Sequence, residues 1–231
     1  MPDGVTGGER RAPYDPMPHG PAEVGVGPWQ GPWPTGPGSE VYDEALLAGG
    51  DRRNVVDRYR YWRVEAIVAD LDTRRHDFHV AIENWQHDFN IGTIVRTANA
   101  FLAAEVHIIG RRRWNRRGAM VTDRYQHIRH HETPGQLAGY LRERGVRLLG
   151  IDNLPGSAHL ETMEMPRRVC FLFGQEGPGL SAAAHEACDG TFSIAQFGST
   201  RSINASAAAA IAMHTWVRQH ADLDGDHSWR G

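Results

Sequence analysis

Lysine is missing from the sequence: all 25 basic residues among its 231 are arginines, set against 28 acidic ones for a formal net charge of −3. That balance excludes a globally basic nucleic-acid binder, whose affinity would rest on bulk attraction to phosphate. The exclusive use of arginine has two readings, a biased genome or a chemical choice. Guanidinium forks pair with phosphates and stack on bases, so the second reading favours an RNA partner, with neither DNA nor a membrane indicated. Cysteine is nearly absent too. Only Cys170 and Cys188 occur, and nothing around them has a metal or redox spacing, so a disulfide framework is excluded and a reducing cytoplasm is the expected location. No apolar run approaches the roughly 20 residues that cross a bilayer. The opening stretch MPDGVTGGERRAPYDP lacks the apolar centre of a secretion signal.

Hydrophobic residues make up 40% of the chain, enough for a core of one medium domain with extensions. Residues 1–40 hold nine glycines and nine prolines, a composition that buries too little to offset its ordering entropy, so they read as a flexible arm. Trp29 and Trp33 stand out in it, either as part of a mobile linker or as two aromatic anchors. Residues 41–75 read as a helical extension: a short helix through EALLAGG, then a longer one over 51–71 with Val55, Val56, Tyr59, Trp62, Ala66 and Ile67 on one face. From residue 76 onward apolar strands alternate with helices. Strands are expected at 78–83, 105–110, 146–152, 168–174 and 190–196, and helices at 91–102, 135–145, 181–188 and 204–220. Strands separated by helices predict an α/β fold with a mostly parallel sheet covered on both faces. The domain runs over 76–221, followed by a tail at 222–231.

Three segments stand where an open α/β sheet places its ligands, just beyond the carboxyl ends of strands. In NWQHDFNIGTIVRTANAF, Asn90 opens a helix and Arg96 follows six residues later among Ile94, Val95 and Ala98; a buried structural ion pair is one reading of that arginine. In FLFGQEGPGLS, Gly174, Gly177 and Gly179 flank Glu176 directly after an apolar strand, where glycine permits tight folding and close approach. No GK[ST] follows, so the loop is not a Walker loop. In SIAQFGSTRSINASAAAA, Ser202 and Asn204 lie at the start of the last helix. One such residue suffices as an N-cap, yet this loop offers Ser199, Thr200, Ser202, Asn204 and Ser206.

Taken together, Asn90 with Arg96, the GxExxG loop and the S-I-N at 202–204 resemble the three motifs of the SpoU/TrmH branch of the SPOUT RNA methyltransferases, over residues 76–220. The resemblance implies a sheet whose C-terminal part is threaded into a trefoil knot, a homodimer with active sites drawn from both copies, and S-adenosylmethionine (AdoMet) as donor of a methyl group to a ribose 2′-hydroxyl. By position it assigns Asn90, Arg96, Glu176, Ser202 and Asn204 to the chemistry and Gly174, Gly179, Ile194 and Ile203 to the cofactor pocket. One departure is Phe101–Leu102, where the family commonly has Phe-Gly. The guanidinium of Arg96 is too basic to accept a proton, so it is assigned to holding a phosphate and stabilising a developing alkoxide, or to working beside a phosphate that relays the proton. The short N-terminal region leaves no room for the α/β RNA-binding module of some relatives, which favours tRNA over rRNA. The reading from a different class is a non-catalytic RNA-binding or ribosome-assembly factor that keeps the fold.

Outside the three motifs, GRRRWNRRGAM gathers Arg111, Arg112, Arg113, Arg116 and Arg117 around Trp114. Guanidiniums interleaved with an aromatic suit phosphates and a stacked base; a solvated loop is the alternative. His127, His130 and His131 lack a third ligand at a familiar interval, so no metal is expected. The apolar face Ile211, Met213, Trp216 and Val217 of the last helix is read as dimer surface.

Overall fold

The computed structural model describes residues 25–85 and 90–223. Its centre is a seven-stranded, wholly parallel sheet in the order β3-β2-β1-β6-β4-β7-β5. The strands are β1 (Phe78–Asn84), β2 (Val106–Gly110), β3 (Ile128–His131), β4 (Arg147–Ile151), β5 (Ala158–His159), β6 (Val169–Phe173) and β7 (Gly190–Ser193). All seven residues of β1 are buried, as expected for a strand covered on both faces. Alternate residues divide the core. Phe78, Val80 and Ile82 join a cluster with Ile91, Ile94, Val95 and Ala98 of α3 (Asn90–Ala100) and with Ala209, Ala212, Met213 and Trp216 of α6 (Ala205–His220). Ala81, Ile109 and Cys170 face the other way, against Leu137 and Leu141 of α4 (Pro134–Arg142) and Ala184 of α5 (Ala182–Ala187). The last strands are not added at the edges in turn: β6 enters between β1 and β4, and β7 between β4 and β5.

The expected elements of the domain are present to within a few residues, and β3 and β5 are additions. Both were hidden by length and polarity, since β3 reads IRHH and β5 is two residues long. Departure from the family's Phe-Gly has a visible consequence: Leu102 adopts φ 58°, and the Ala103 N–H bonds the Ala98 carbonyl at 2.9 Å. This is the left-handed helix ending that glycine adopts without strain.

Two expectations about the N-terminal region need correction. No long helix spans 51–71; a 3₁₀ turn at Asp57–Tyr59 and a helix, α2, at Val64–Asp72 take its place. Asp51 is the cause. Its fully buried carboxylate accepts from the Arg53 amide at 3.0 Å, the Arg53 guanidinium at 2.7 Å and the Tyr61 amide at 2.9 Å, and these local bonds outcompete the helical ladder. Despite burial, which acts in the opposite direction, they hold Asp51 down to about 2.

Nor does the flexible-arm reading hold for 25–40. Val26 and Asp51 exchange backbone hydrogen bonds of 2.9 Å. The Trp29 ring meets Tyr42 and Tyr61 edge-on at 6.0 and 5.4 Å between centroids. Trp33 remains 46% exposed. Trp29→Ala should therefore cost about 2 kcal/mol, half the loss of a fully buried tryptophan. The corresponding fall in Tm is about 4–8 °C for a chain of this size, and Trp33→Ala should leave Tm unchanged. Scanning calorimetry on the two variants separates these outcomes.

Three imidazoles cross the sheet on the α4 side. His79 Nδ1 lies 3.0 Å from His107 Nε2, and His107 Nδ1 lies 3.1 Å from His131 Nε2. Glu105 lies 3.8 Å from His79 and from His107 and accepts from Tyr140 and Arg129. Burial, reinforced by nearby arginines, lowers His79 to about 4 and pushes His107 well below its usual value. A histidine depressed on folding takes up its proton more readily when unfolded, so the stability it provides is complete above about pH 6.5 and is lost as pH falls toward 4. For His79 alone the loss between pH 7 and pH 5 is about 2 kcal/mol. Urea titrations at the two pH values should show it, and His79→Phe should flatten the difference.

Candidate active site

The expected ligand edge of the sheet carries a cavity of about 360 Å³. Phe173 to Gly179 after β6, Ile151 to Asn153 after β4, and Ile194, Gln196 and Arg201 to Ala205 after β7 line it. Gly174, Gly179, Ile194, Ile203, Glu176, Ser202 and Asn204 are thus brought to one place. Asn90 joins them from α3: its Nδ2 donates to Glu176 Oε2 at 3.1 Å. Asn204 Nδ2 donates to Asn90 Oδ1 at 2.8 Å and to Glu176 Oε1 at 3.1 Å. One carboxylate therefore binds two carboxamides that lie 114 residues apart in the chain. Asn204 is also a cap, its Oδ1 accepting from the amides of Ser206 at 2.9 Å and Ala207 at 3.3 Å. The cap reading of that residue therefore holds, and the same side chain also joins Asn90 and Glu176.

The glycine loop folds as tightly as expected, and its close approach is to its own backbone. A Cβ on Gly174 would stand 2.0 Å from the carbonyl carbon of Gly179 and 2.3 Å from the Leu180 nitrogen. The close approach made possible at Gly174 is thus between the two arms of the loop, which Gln175 and Gly179 close with reciprocal backbone bonds of 3.2 and 3.1 Å. Gly179, at φ 71°, has no room for a side chain beside the Asp152 carboxylate, 2.7 Å from an added Cβ.

Asp152 is not singled out in the sequence, although it is the last residue of an expected strand. It accepts from the Leu180 amide at 3.0 Å and so fixes the exit of the loop. Fully buried Glu83 does the same from β1, accepting from the Ser181 amide at 2.8 Å and hydroxyl at 2.6 Å. Asn153 Nδ2 holds the Arg201 carbonyl at 2.7 Å. These polar residues at strand ends had a signal in the strand-end rule, but their partners are distant in sequence.

Arg96 is not brought to this cavity. It is exposed on α3 and borders a separate groove with Asn99, Phe101, Tyr59 and Val217. The buried ion pair read from its apolar neighbours is also absent, for no carboxylate pairs with it among the described residues. Helical geometry explains the error: Ile94, Val95 and Ala98 turn into the core while residue 96 turns out.

In the basic loop, Arg111, Arg112, Arg113, Arg116 and Arg117 are exposed, with Arg116 3.4 Å from Asp123. Asn84, at the end of β1, anchors it by donating to the Arg111 and Arg113 carbonyls at 2.7 and 2.9 Å. Gly92, in the first turn of α3, lets the loop sit directly on that helix, since a Cβ there would come within 2.8 Å of the Ala119 nitrogen. Trp114 packs against the core and lies beneath Arg116, which corrects its assignment to a stacked base. The dimer face of α6 is also reduced, because Met213 and Trp216 are fully buried within the chain. His127, His130 and His131 face Asp72, the Gly110 carbonyl and His107 respectively.

The cavity fits AdoMet. Its volume lies in the range of small-molecule sites, Ile151, Phe173, Ile194 and Ile203 give a flat ring an apolar wall, and main-chain groups of the glycine loop edge it.

Comparison with known proteins is consistent in sequence and in fold. The model of the SpoU rRNA methylase family matches residues 77–214. The tRNA (guanosine(18)-2′-O)-methyltransferase of Escherichia coli K12 is 27% identical over 163 residues, 69% of this chain and 70% of that protein. An uncharacterized tRNA/rRNA methyltransferase of Mycobacterium tuberculosis H37Rv is 30% identical over 71% of this chain and 52% of its own length. Among solved structures, the SpoU methyltransferase AviRb from Streptomyces viridochromogenes, in complex with AdoMet, superposes with a TM-score of 0.56 at 27% identity, covering 65% of this chain and 60% of that one. The A. aeolicus TrmH/SpoU tRNA modifying enzyme shares the fold at a TM-score of 0.60 and 22% identity, covering 68% and 82%.

Proposed function

The chain belongs to the SpoU rRNA methylase family, and from that premise we propose that it transfers the methyl group of AdoMet to a ribose 2′-hydroxyl of RNA, tRNA before rRNA. The observation that carries the proposal is the cavity at the carboxyl ends of β4, β6 and β7, with Asn90, Glu176 and Asn204 joined at its mouth. The E. coli relative is named for methylation of tRNA guanosine 18, which supports tRNA.

AdoMet when bound supplies an already activated sulfonium methyl, so the protein's task is placement. Holding the hydroxyl oxygen about 3–3.5 Å from the methyl carbon, in line with the breaking bond, supplies much of the acceleration. Gly174, Gly179, Ile194 and Ile203 would hold the donor. Glu176, fixed by two carboxamides, would orient Asn90, Ser202 and Asn204 toward the ribose. Arg111, Arg112, Arg113, Arg116 and Arg117 would bind phosphates. The C-terminal segment would be knotted, a reading supported by the late insertion of β6 and β7 between strands already laid down.

Arg96 gives this reading its one structural requirement. Exposed and outside the cavity of its own chain, it would serve the cavity of a second copy in a homodimer, there to bind the substrate phosphate and stabilise charge developing on the 2′-oxygen. Incubation with labelled AdoMet and unmodified tRNA transcripts, or deproteinised ribosomal RNA, tests the function. Label in RNA supports it, and a folded protein that binds AdoMet but labels neither RNA overturns it.

A further inference from the structure

Phe197 is 98% exposed, a large apolar ring offered wholly to water at the border of the cavity. Its neighbour Gln196 lines that cavity, as do Arg201 and Ser202 at the far end of the same loop. The loop is staked on both sides of the ring. The Ala195 amide donates to Glu161 Oε1 at 3.0 Å, and the Arg201 carbonyl accepts from Asn153 Nδ2 at 2.7 Å. Between these two ties residues 196–200 carry Phe197 outward with both faces of its ring uncovered.

Resting on the methyltransferase reading above, we propose that Phe197 is the stacking platform for the base of the nucleotide whose ribose is methylated. Presenting a ribose to the cavity takes its base out of the RNA stack, and a base so exposed regains contact on an aromatic face. Its chain neighbour Gln196 lines the cavity in which the 2′-oxygen must meet the methyl donor. Exposed Arg201, at the other stake, is positioned for the phosphate of the same strand. Stacking takes any base, so Phe197 would tighten binding without reading the base edge.

The test is the kinetics of Phe197→Leu and Phe197→Trp on unmodified tRNA transcripts and deproteinised ribosomal RNA, with S-adenosylhomocysteine affinity by calorimetry and mass by light scattering. Leucine keeps apolar bulk without a π-face. It should lower kcat/KM about 10- to 100-fold, mainly through KM, the scale of one lost base–aromatic stack. Tryptophan should stay within about threefold of wild type, and neither variant should change cofactor affinity or mass. Wild-type kinetics in Phe197→Leu would overturn the assignment, as would a change in mass, which would make the ring a contact between copies. A wild-type enzyme that labels neither RNA overturns the methyltransferase reading itself, whereas one that does while Phe197→Leu matches it removes only the stacking role.

Discussion

Replacing Arg96 with alanine is expected to leave the fold and AdoMet affinity unchanged and to lower methyl transfer about 100-fold or more, the scale of losing one preorganised electrostatic partner of the transition state. The fold should survive because the side chain is exposed and bears no ion pair among the described residues. Cofactor affinity should survive because none of the cavity's lining comes from α3 beyond the reach of Asn90. A mixing experiment gives the prediction its sharper form. Arg96→Ala and a cavity variant such as Gly174→Ala, each inactive alone, should regain activity when unfolded and refolded together. Half of randomly assorted dimers are mixed and each has one complete composite site, so recovery should be on the order of a quarter. An inactive mixture would mean that Arg96 does not serve a partner's cavity.

Gly174→Ala should be as severe at the other end of the reaction. The added methyl group would lie 2.0–2.3 Å from main-chain atoms of Gly179 and Leu180, which no side-chain adjustment relieves, so the loop must open. AdoMet affinity should fall about 100-fold or more, equivalent to about 3 kcal/mol, while circular dichroism stays native because the disturbance ends at the loop. By contrast Gly177→Ala meets nothing within 4 Å and strains only a φ of 105°, so its effect should be smaller. Equal calorimetric affinities in wild type and Gly174→Ala would remove the loop from the cofactor site.

What could be read in the sequence and what could not follow one physical division. The buried strands FHVAIE and RVCFLFG and the alanine helix announce themselves because burial on both faces writes continuous apolar runs. The Asn90, Glu176 and Asn204 motifs were legible as residues, but their mutual hydrogen bonds span 86, 28 and 114 positions, and no local pattern encodes such distances. Asp51 illustrates the opposite failure. A single buried carboxylate overrode a convincing helical periodicity over 51–71 by capturing the amides of Arg53 and Tyr61. Composition left Trp29 open between linker and anchor, since nine glycines and nine prolines surround it in 1–40, and only the fold shows its ring against Tyr42 and Tyr61. For Arg96 the neighbours in sequence misled, because on a helix they are not neighbours in space.

The central claim is the chemical position of the transferred methyl group. The direct measurement is mass spectrometry of nucleosides from tRNA transcripts incubated with the purified protein and AdoMet carrying a heavy methyl. The account predicts the heavy methyl on the ribose of one nucleoside type, as a 2′-O-methyl product whose base released by acid is unlabelled. A heavy methyl that stays with the base would contradict it.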